Sequence, residues 1–211
     1  MTMFGTEQEA WLSRSILRDK ATWALLGTGT NMGYSYTPES AMDWVPRVAP
    51  ERAINYVRQG IAAAKAGLPY NLDNWGGYPA ARSRILSAAQ RADANLVVIT
   101  GDSHNGWAFD LPEGGKPAGV EFGGHSVSSP GFESAVPFTD PSVVARSLLD
   151  ASKQELRWVD TSNRGYMHLA LTPQAATNEW VFMQTVKDIS LATKAGHKMK
   201  VRPGRKVLEQ V

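Results

Sequence analysis

The chain has 211 residues, 43% of them hydrophobic and 20% charged, with a formal net charge of +2 and no cysteine. That length suits one domain with a proper core, and so small a net charge gives no reason to expect a nucleic-acid or membrane-surface partner. The missing cysteines exclude disulfides, thiolate nucleophiles and cysteine-based zinc sites, and no run of about 18 consecutive apolar residues offers a membrane span.

Thr6 followed three residues on by Glu9 has the spacing of a capping box. It predicts a helix over residues 6–17, with Ala10, Leu12, Ile16 and Leu17 on its apolar side. No basic region followed by an apolar stretch precedes it, so the start does not read as a signal peptide. Residues 22–26 read as a strand running into GTGTNMG, whose glycines lack the Lys-Ser or Lys-Thr of a phosphate loop. Pro38, Pro46 and Pro50 make residues 34–50 irregular. A second helix follows over 51–66, with Pro50 before it and Gly67 as its stop. Residues 70–78 form a loop rich in aromatics and glycine. Pro79 then opens a helix to about Ala92, with Ile85 and Leu86 inward and Arg82, Arg84 and Arg91 outward.

The run Leu96 to Thr100 has no polar break and reads as a strand buried on both faces. It ends at Gly101-Asp102-Ser103-His104, where an α/β sheet places its chemistry. If the chain stays extended, Asp102 and His104 share one face and Ser103 takes the other. An oxygen ligand beside a nitrogen ligand, next to a glycine that lets backbone approach, suits a metal or a phosphate. The bland alternative is a helix cap and a surface histidine.

Beyond it, a strand is expected over residues 120–122 with its run continuing to Val127. Asp140 and Pro141 cap and open a helix to about Lys153. Residues 155–160, 166–171 and 179–186 read as strands. From Lys187 to Lys206 seven Lys or Arg face one acid, Asp188; residues 187–211 therefore read as a basic tail, a solvated face.

Two other stretches compete for chemistry. In YNLDNWGGYPAAR, Asp73, Trp75, Tyr78 and Arg82 would line a polar pocket, or the aromatics would simply pin an ordered loop. In GHSVS, Ser126 comes within one residue of a nucleophile elbow, with Asp160 and His168 as nominal partners. Against that stands Ser129-Pro130-Gly131, which reads as a turn where the elbow needs a helix. No two histidines have a paired spacing, and His168 alternates with apolar neighbours as a structural residue would. A two-metal centre holds its ions about 3.5–4 Å apart, and it needs more than one Asp and one His. The sequence therefore displays part of a metal site.

Six stretches in order, TEQEAWL, ATWALLG, DNWGGYPAAR, VVITGDSHNGWAFDL, VEFGGHSVSSPG and RGYMHLALTP, resemble the C-terminal half of PhoD-like (alkaline phosphatase D) metallophosphatases, a branch of the calcineurin-like metallophosphoesterases. The resemblance covers nearly the whole chain and is weakest over residues 34–67 and the basic run. It implies an α/β (α+β) fold, part of a four-layer αββα sandwich with mixed sheets, and a single domain over 1–211. It implies hydrolysis of phosphate mono- or diesters at a metal centre using iron with calcium, or other divalent pairs. By position, Asp102 would be a metal ligand and His104 would act at the phosphate. Asn105 and Trp107 would shape the pocket, with Asp73, Tyr78 and Arg82 as further substrate-binding candidates. Such enzymes are commonly exported.

Two departures follow from the same resemblance. Gly76 stands where an acidic residue is usual and His125 where a Thr is usual. The D-x-[HD], G-D-x-x-D and G-N-[HD] ligand motifs of the N-terminal half are missing from this chain. The expected partners are therefore a phosphate ester and a missing N-terminal half or second chain, and the isolated chain is expected to turn over poorly. The rival from another class is a non-catalytic binding or assembly module that keeps the fold.

Overall fold

The computed structural model describes residues 2–18, 20–46 and 48–211. In chain order the elements are α1 (Thr6–Arg18), β1 (Ala24–Gly27), α2 (Glu51–Lys65), α3 (Pro79–Arg91), β2 (Leu96–Thr100), β3 (Gly106–Glu113), β4 (Lys116–Gly123), α4 (Phe132–Ala135), α5 (Pro141–Ser152), β5 (Leu156–Asp160), β6 (Gly165–Leu171), β7 (Ala176–Met183), β8 (Thr193–Val201) and β9 (Glu209–Gln210).

The first sheet has five strands in the order β1-β2-β4-β3-β5. β1, β2 and β4 run parallel, and β3 is antiparallel to both of its neighbours. The second sheet, β6-β7-β8-β9, is antiparallel throughout, so one of the two expected mixed sheets is not mixed. β2 explains the layering. Leu96 and Val98 point into a core shared with α1, α3 and α5, while Val97 points into a second core with Trp180, Phe182 and Met199 of the other sheet. A strand covered on both faces carries apolar residues at every position, which is why its sequence shows no alternation. The Trp180 indole edge meets Phe122 and donates to the Gly123 carbonyl at 2.8 Å, joining the sheets. The outer face of the second sheet, with Tyr166, His168 and Ala170, is exposed. The described residues thus supply three of the expected layers: helices, mixed sheet and antiparallel sheet.

Several local expectations are corrected. Glu9 does not close a capping box; its carboxylate pairs with Arg84 of α3, 3.0 Å from one guanidinium nitrogen. Arg82 points inward, not outward, and is 5% exposed. A 3-10 helix, Glu39–Trp44, interrupts the irregular stretch. The basic run is not a tail. Its Lys198 and Lys200 alternate with Met199 and Val201 along β8, so one side packs and the other is charged. Asp140 does cap α5, accepting from the Ser142 amide at 2.8 Å.

Candidate active-site cleft

β1 and β2 end side by side, and the chain leaving each turns over their carboxyl ends. There a cleft of about 340 Å³ opens. One wall is the β1 exit, with Asn31 and Ser35. A second is the turn between β2 and β3, with Asp102, Ser103 and Asn105. Asn71 and Asn74 close a third side, and Pro130 to Phe132 a fourth, with Trp107 and Phe109 beneath.

β2 does not stay extended past Thr100. Asp102 and His104 both adopt left-handed backbone, with φ of 65° and 60°. The alternation that would put them on one face therefore does not apply. Left-handed conformation costs a non-glycine residue on the order of 1 kcal/mol, and such strain clusters at functional sites. Both side chains are exposed. The turn is held by its neighbours: Trp107 Nε1 donates to Ser103 Oγ at 2.6 Å, and Asn105 Nδ2 to the Ser103 carbonyl at 2.6 Å. Asn105 Oδ1 accepts from the Phe132 amide at 3.1 Å. Asn105 thus clamps two walls together, each end of its amide already holding one backbone partner. His104 Nδ1 lies 2.9 Å from the Pro130 carbonyl. A carbonyl can only accept, so Nδ1 carries the proton and Nε2 is the free nitrogen.

The other sequence candidates lie apart. Asp73 is exposed and does not line the cleft; Asn71 and Asn74 from the same loop do. Trp75 is fully buried and donates to Thr28 Oγ1 at 3.2 Å. Tyr78 packs against the helical core. Arg82 is bound to Glu155 at 2.8 Å and to the Met32 carbonyl at 2.9 Å, with its guanidinium 4.1 Å from the Tyr34 ring centroid. It is a structural arginine. Gly76 leaves no room for the side chain usual there, since a Cβ would come within 2.5 Å of the Asn71 carbonyl oxygen. The serine constellation does not assemble. Ser126 Oγ accepts from the Ser129 amide at 2.7 Å, and His168 lies on the open face of the second sheet opposite Glu179.

His125 is buried beside Asp160, Nε2 to Oδ1 3.4 Å, a close contact rather than a well-formed hydrogen bond. Burial pushes the Asp160 carboxyl up, but His125 and hydrogen bonds from Asn163 and Ser162 outweigh it and bring it down to about 2. From an ordinary 3.8 this drop corresponds to about 2 kcal/mol. Because the folded value lies below the unfolded one, that stability is present above about pH 4 and lost as the pH falls through about 2. Asp160→Asn is expected to lower urea-unfolding free energy by about 2 kcal/mol at pH 7 and to flatten its decline between pH 4 and 2. An unchanged acid slope would show that another group carries it.

Among the residues lining the cleft, one is an ionisable carboxylate and none is Lys, Arg or His. Among the described residues no three His, Asp, Glu or Cys come together as a metal cluster. Sequence reading missed Asn31, which lines this cleft, and Glu121, the buried carboxylate that holds it. Glu121 is fully buried and accepts from Asn31 Nδ2 at 2.8 Å, Thr100 Oγ1 at 2.7 Å, and the Met32 and Gly33 amides at 2.9 and 2.6 Å. A charged residue inside an apolar strand, VEF, was the available signal.

The PhoD-like phosphatase profile matches residues 1–180. Alkaline phosphatase D of Bacillus subtilis (strain 168) is 28% identical over 136 residues, which is 62% of this chain and 19% of that protein. The solved structure titled Structure of PhoD aligns over 100% of this chain and 35% of its own, with a TM-score of 0.70 at 20% identity, a likeness of fold. This chain therefore spans about a fifth of the curated relative and a third of the solved one. With a profile match over most of its length and the fold to go with it, the chain belongs to the PhoD-like phosphatase family.

Proposed function

We propose that the cleft is one wall of a metal-dependent phosphoesterase site acting on phosphate mono- or diesters. One observation carries the reading: the cleft presents the Asp102 carboxylate and no cationic side chain. A phosphate ester is an anion and would be repelled by such a surface unless a cation lay between them. The donors suit a hard cation, since carboxylate and amide oxygens are what such ions prefer. Bound there, a metal would polarise the phosphoryl oxygens and lower the pKa of a coordinated water. The chain's own residues supply the rest. Asp102 neutralises cation charge at the turn, and the Ser103–Asn105–Trp107 bonds keep that turn in its strained shape. His104 is on the same turn but outside the cleft lining, held through Nδ1 by the Pro130 carbonyl; its part in this reading is to give a proton from Nε2, as an imidazolium, to the leaving oxygen of an ester that extends past the turn.

One carboxylate cannot fix two ions, so a complete site draws ligands from a further segment or a second chain. The β1 edge supports this. Among the described strands β1 pairs only with β2, and Leu25 on it is 48% exposed beside a groove that Trp11 also lines. Edges of parallel sheets are normally covered.

The test is hydrolysis of p-nitrophenyl phosphate and its bis ester with added calcium, manganese or iron. We expect slow, metal-dependent turnover that Asp102→Asn lowers by at least about 100-fold, the upper end for disturbing a metal's ligand shell. Robust turnover unchanged by Asp102→Asn or His104→Ala would overturn it. No metal uptake, together with a stable complex with another chain, would instead favour the non-catalytic module.

A further inference from the structure

The cleft is lined by four asparagines. Three have committed their side-chain oxygens to backbone amides: Asn71 to Asp73, Asn74 to Gly76 and Asn105 to Phe132. Asn31 differs. Its Nδ2 donates to Glu121 Oε1 at 2.8 Å and to Thr100 Oγ1 at 3.2 Å, and its Oδ1 has no hydrogen-bond partner among the described residues. Asn31 is only 8% exposed. What remains open on so buried a residue is that oxygen, which is not among the buried atoms left without a partner, and the opening next to it is the cleft.

The amide cannot simply turn over. Glu121 receives four donors and offers none, and Thr100 spends its hydroxyl proton on Glu121. Only the NH2 end of Asn31 can face that pair, so the oxygen faces the cleft that Asn31 lines. Asn31 also lies beside the end of β2, through its contact with Thr100 two residues before Asp102. We propose that Asn31 Oδ1 is a neutral oxygen ligand for the cation held at Asp102, and that Glu121 aims it. The inference rests on the metal reading above and adds a ligand to this chain's share of the site. Amide and carboxylate oxygens together form a set typical of hard cations.

Glu121 makes the idea testable without removing Asn31. In Glu121→Gln the Met32 and Gly33 amides remain donors, so the new Oε1 must accept them. The new NH2 then faces Asn31 and Thr100, Asn31 has to offer its oxygen inward, and its own NH2 turns to the cleft. A ligand becomes a cation-repelling donor while the residue stays in place.

The experiment is terbium(III) binding to the full chain, read as emission sensitised by the cleft tryptophan Trp107 and by competition with calcium. Asn31→Ala and Glu121→Gln are each expected to raise the dissociation constant about 10- to 100-fold, the usual range for disturbing a metal's surroundings. Asp102→Asn is expected to raise it at least as far. Should Asp102→Asn weaken binding while both other variants stay within about twofold of wild type, the assignment of Asn31 is overturned and the metal reading stands. Should the wild type show no sensitised emission, or no variant change the constant, both are overturned. Glu121→Gln preserves the shape of the buried group, so affinity lost there with the unfolding midpoint nearly unchanged reports amide orientation and not collapse of the fold.

Discussion

Glu121→Leu is expected to lower the unfolding free energy by about 3–5 kcal/mol, the cost of removing one side of a buried charged network. Two opposing effects decide the size. Taking away a fully buried carboxylate removes its desolvation penalty, which favours the variant. Against this, four donors are orphaned at once, each worth about 1–3 kcal/mol when left buried and unpaired. Two of them, the Met32 and Gly33 amides, are backbone and cannot rotate to water. The donors win. For a domain whose total stability is about 5–15 kcal/mol, such a variant is marginal, and urea titration by far-UV circular dichroism would read it directly. A loss below about 1 kcal/mol would mean that water or local rearrangement satisfies those amides. Burial pushes the Glu121 carboxyl above the ordinary range, and the bonds from Thr100, Asn31, Gly33 and Met32 pull it back. With a folded value above the unfolded one, the group favours folding most at low pH and loses that contribution as pH rises through the folded value. Its pH dependence is therefore opposite in sign to that of Asp160.

Arg82→Ala is expected to cost a similar amount, about 3–5 kcal/mol. Arg82 and Glu155 are 5% and 7% exposed and meet at 2.8 Å. Without the guanidinium, the Glu155 carboxylate keeps only the Tyr34 amide at 2.8 Å as a hydrogen-bond partner among the described residues, and the Met32 carbonyl loses its donor. Burial pushes the Glu155 carboxyl up, and Arg82 is the main influence holding it down. The single variant therefore leaves a buried charge that must either persist unpaired or take a proton. The paired change Arg82→Met with Glu155→Leu removes both charges and should recover most of the loss, since apolar replacement of a whole buried pair is often neutral. Additive losses in the double variant, measured by urea unfolding at pH 7, would show that the two do not act as a pair.

Both networks hold the same segment. Glu121 binds the backbone of Met32 and Gly33, and Arg82 binds the Met32 carbonyl while Glu155 takes the Tyr34 amide. A glycine is needed at 33 because a Cβ there would lie 2.2 Å from the Phe109 ring. The β1 exit loop is thus fastened to the mixed sheet from two sides, and Asn31 projects from it into the cleft.

The sequence by itself determined whatever depends on neighbours a few residues apart. Pro79 and the Asp140 cap placed the starts of α3 and α5, and the unbroken LVVIT run gave β2 and the position of the cleft at its end. The ordered series of motifs was enough to indicate the family, since each motif is itself a short-range pattern. Tertiary structure alone decided the rest. β3 went unread because six of its residues are buried in sequence and a register shift with Pro112 breaks its end, leaving no period to detect. Arg82 turned inward because its partner Glu155 lies 73 residues on, and Asn31 took its orientation from Glu121, 90 residues away. Helical and strand periods report which face a residue occupies. They carry no record of which distant donor will meet which acceptor, and that pairing is what fixed an unremarked asparagine in the wall of the cleft.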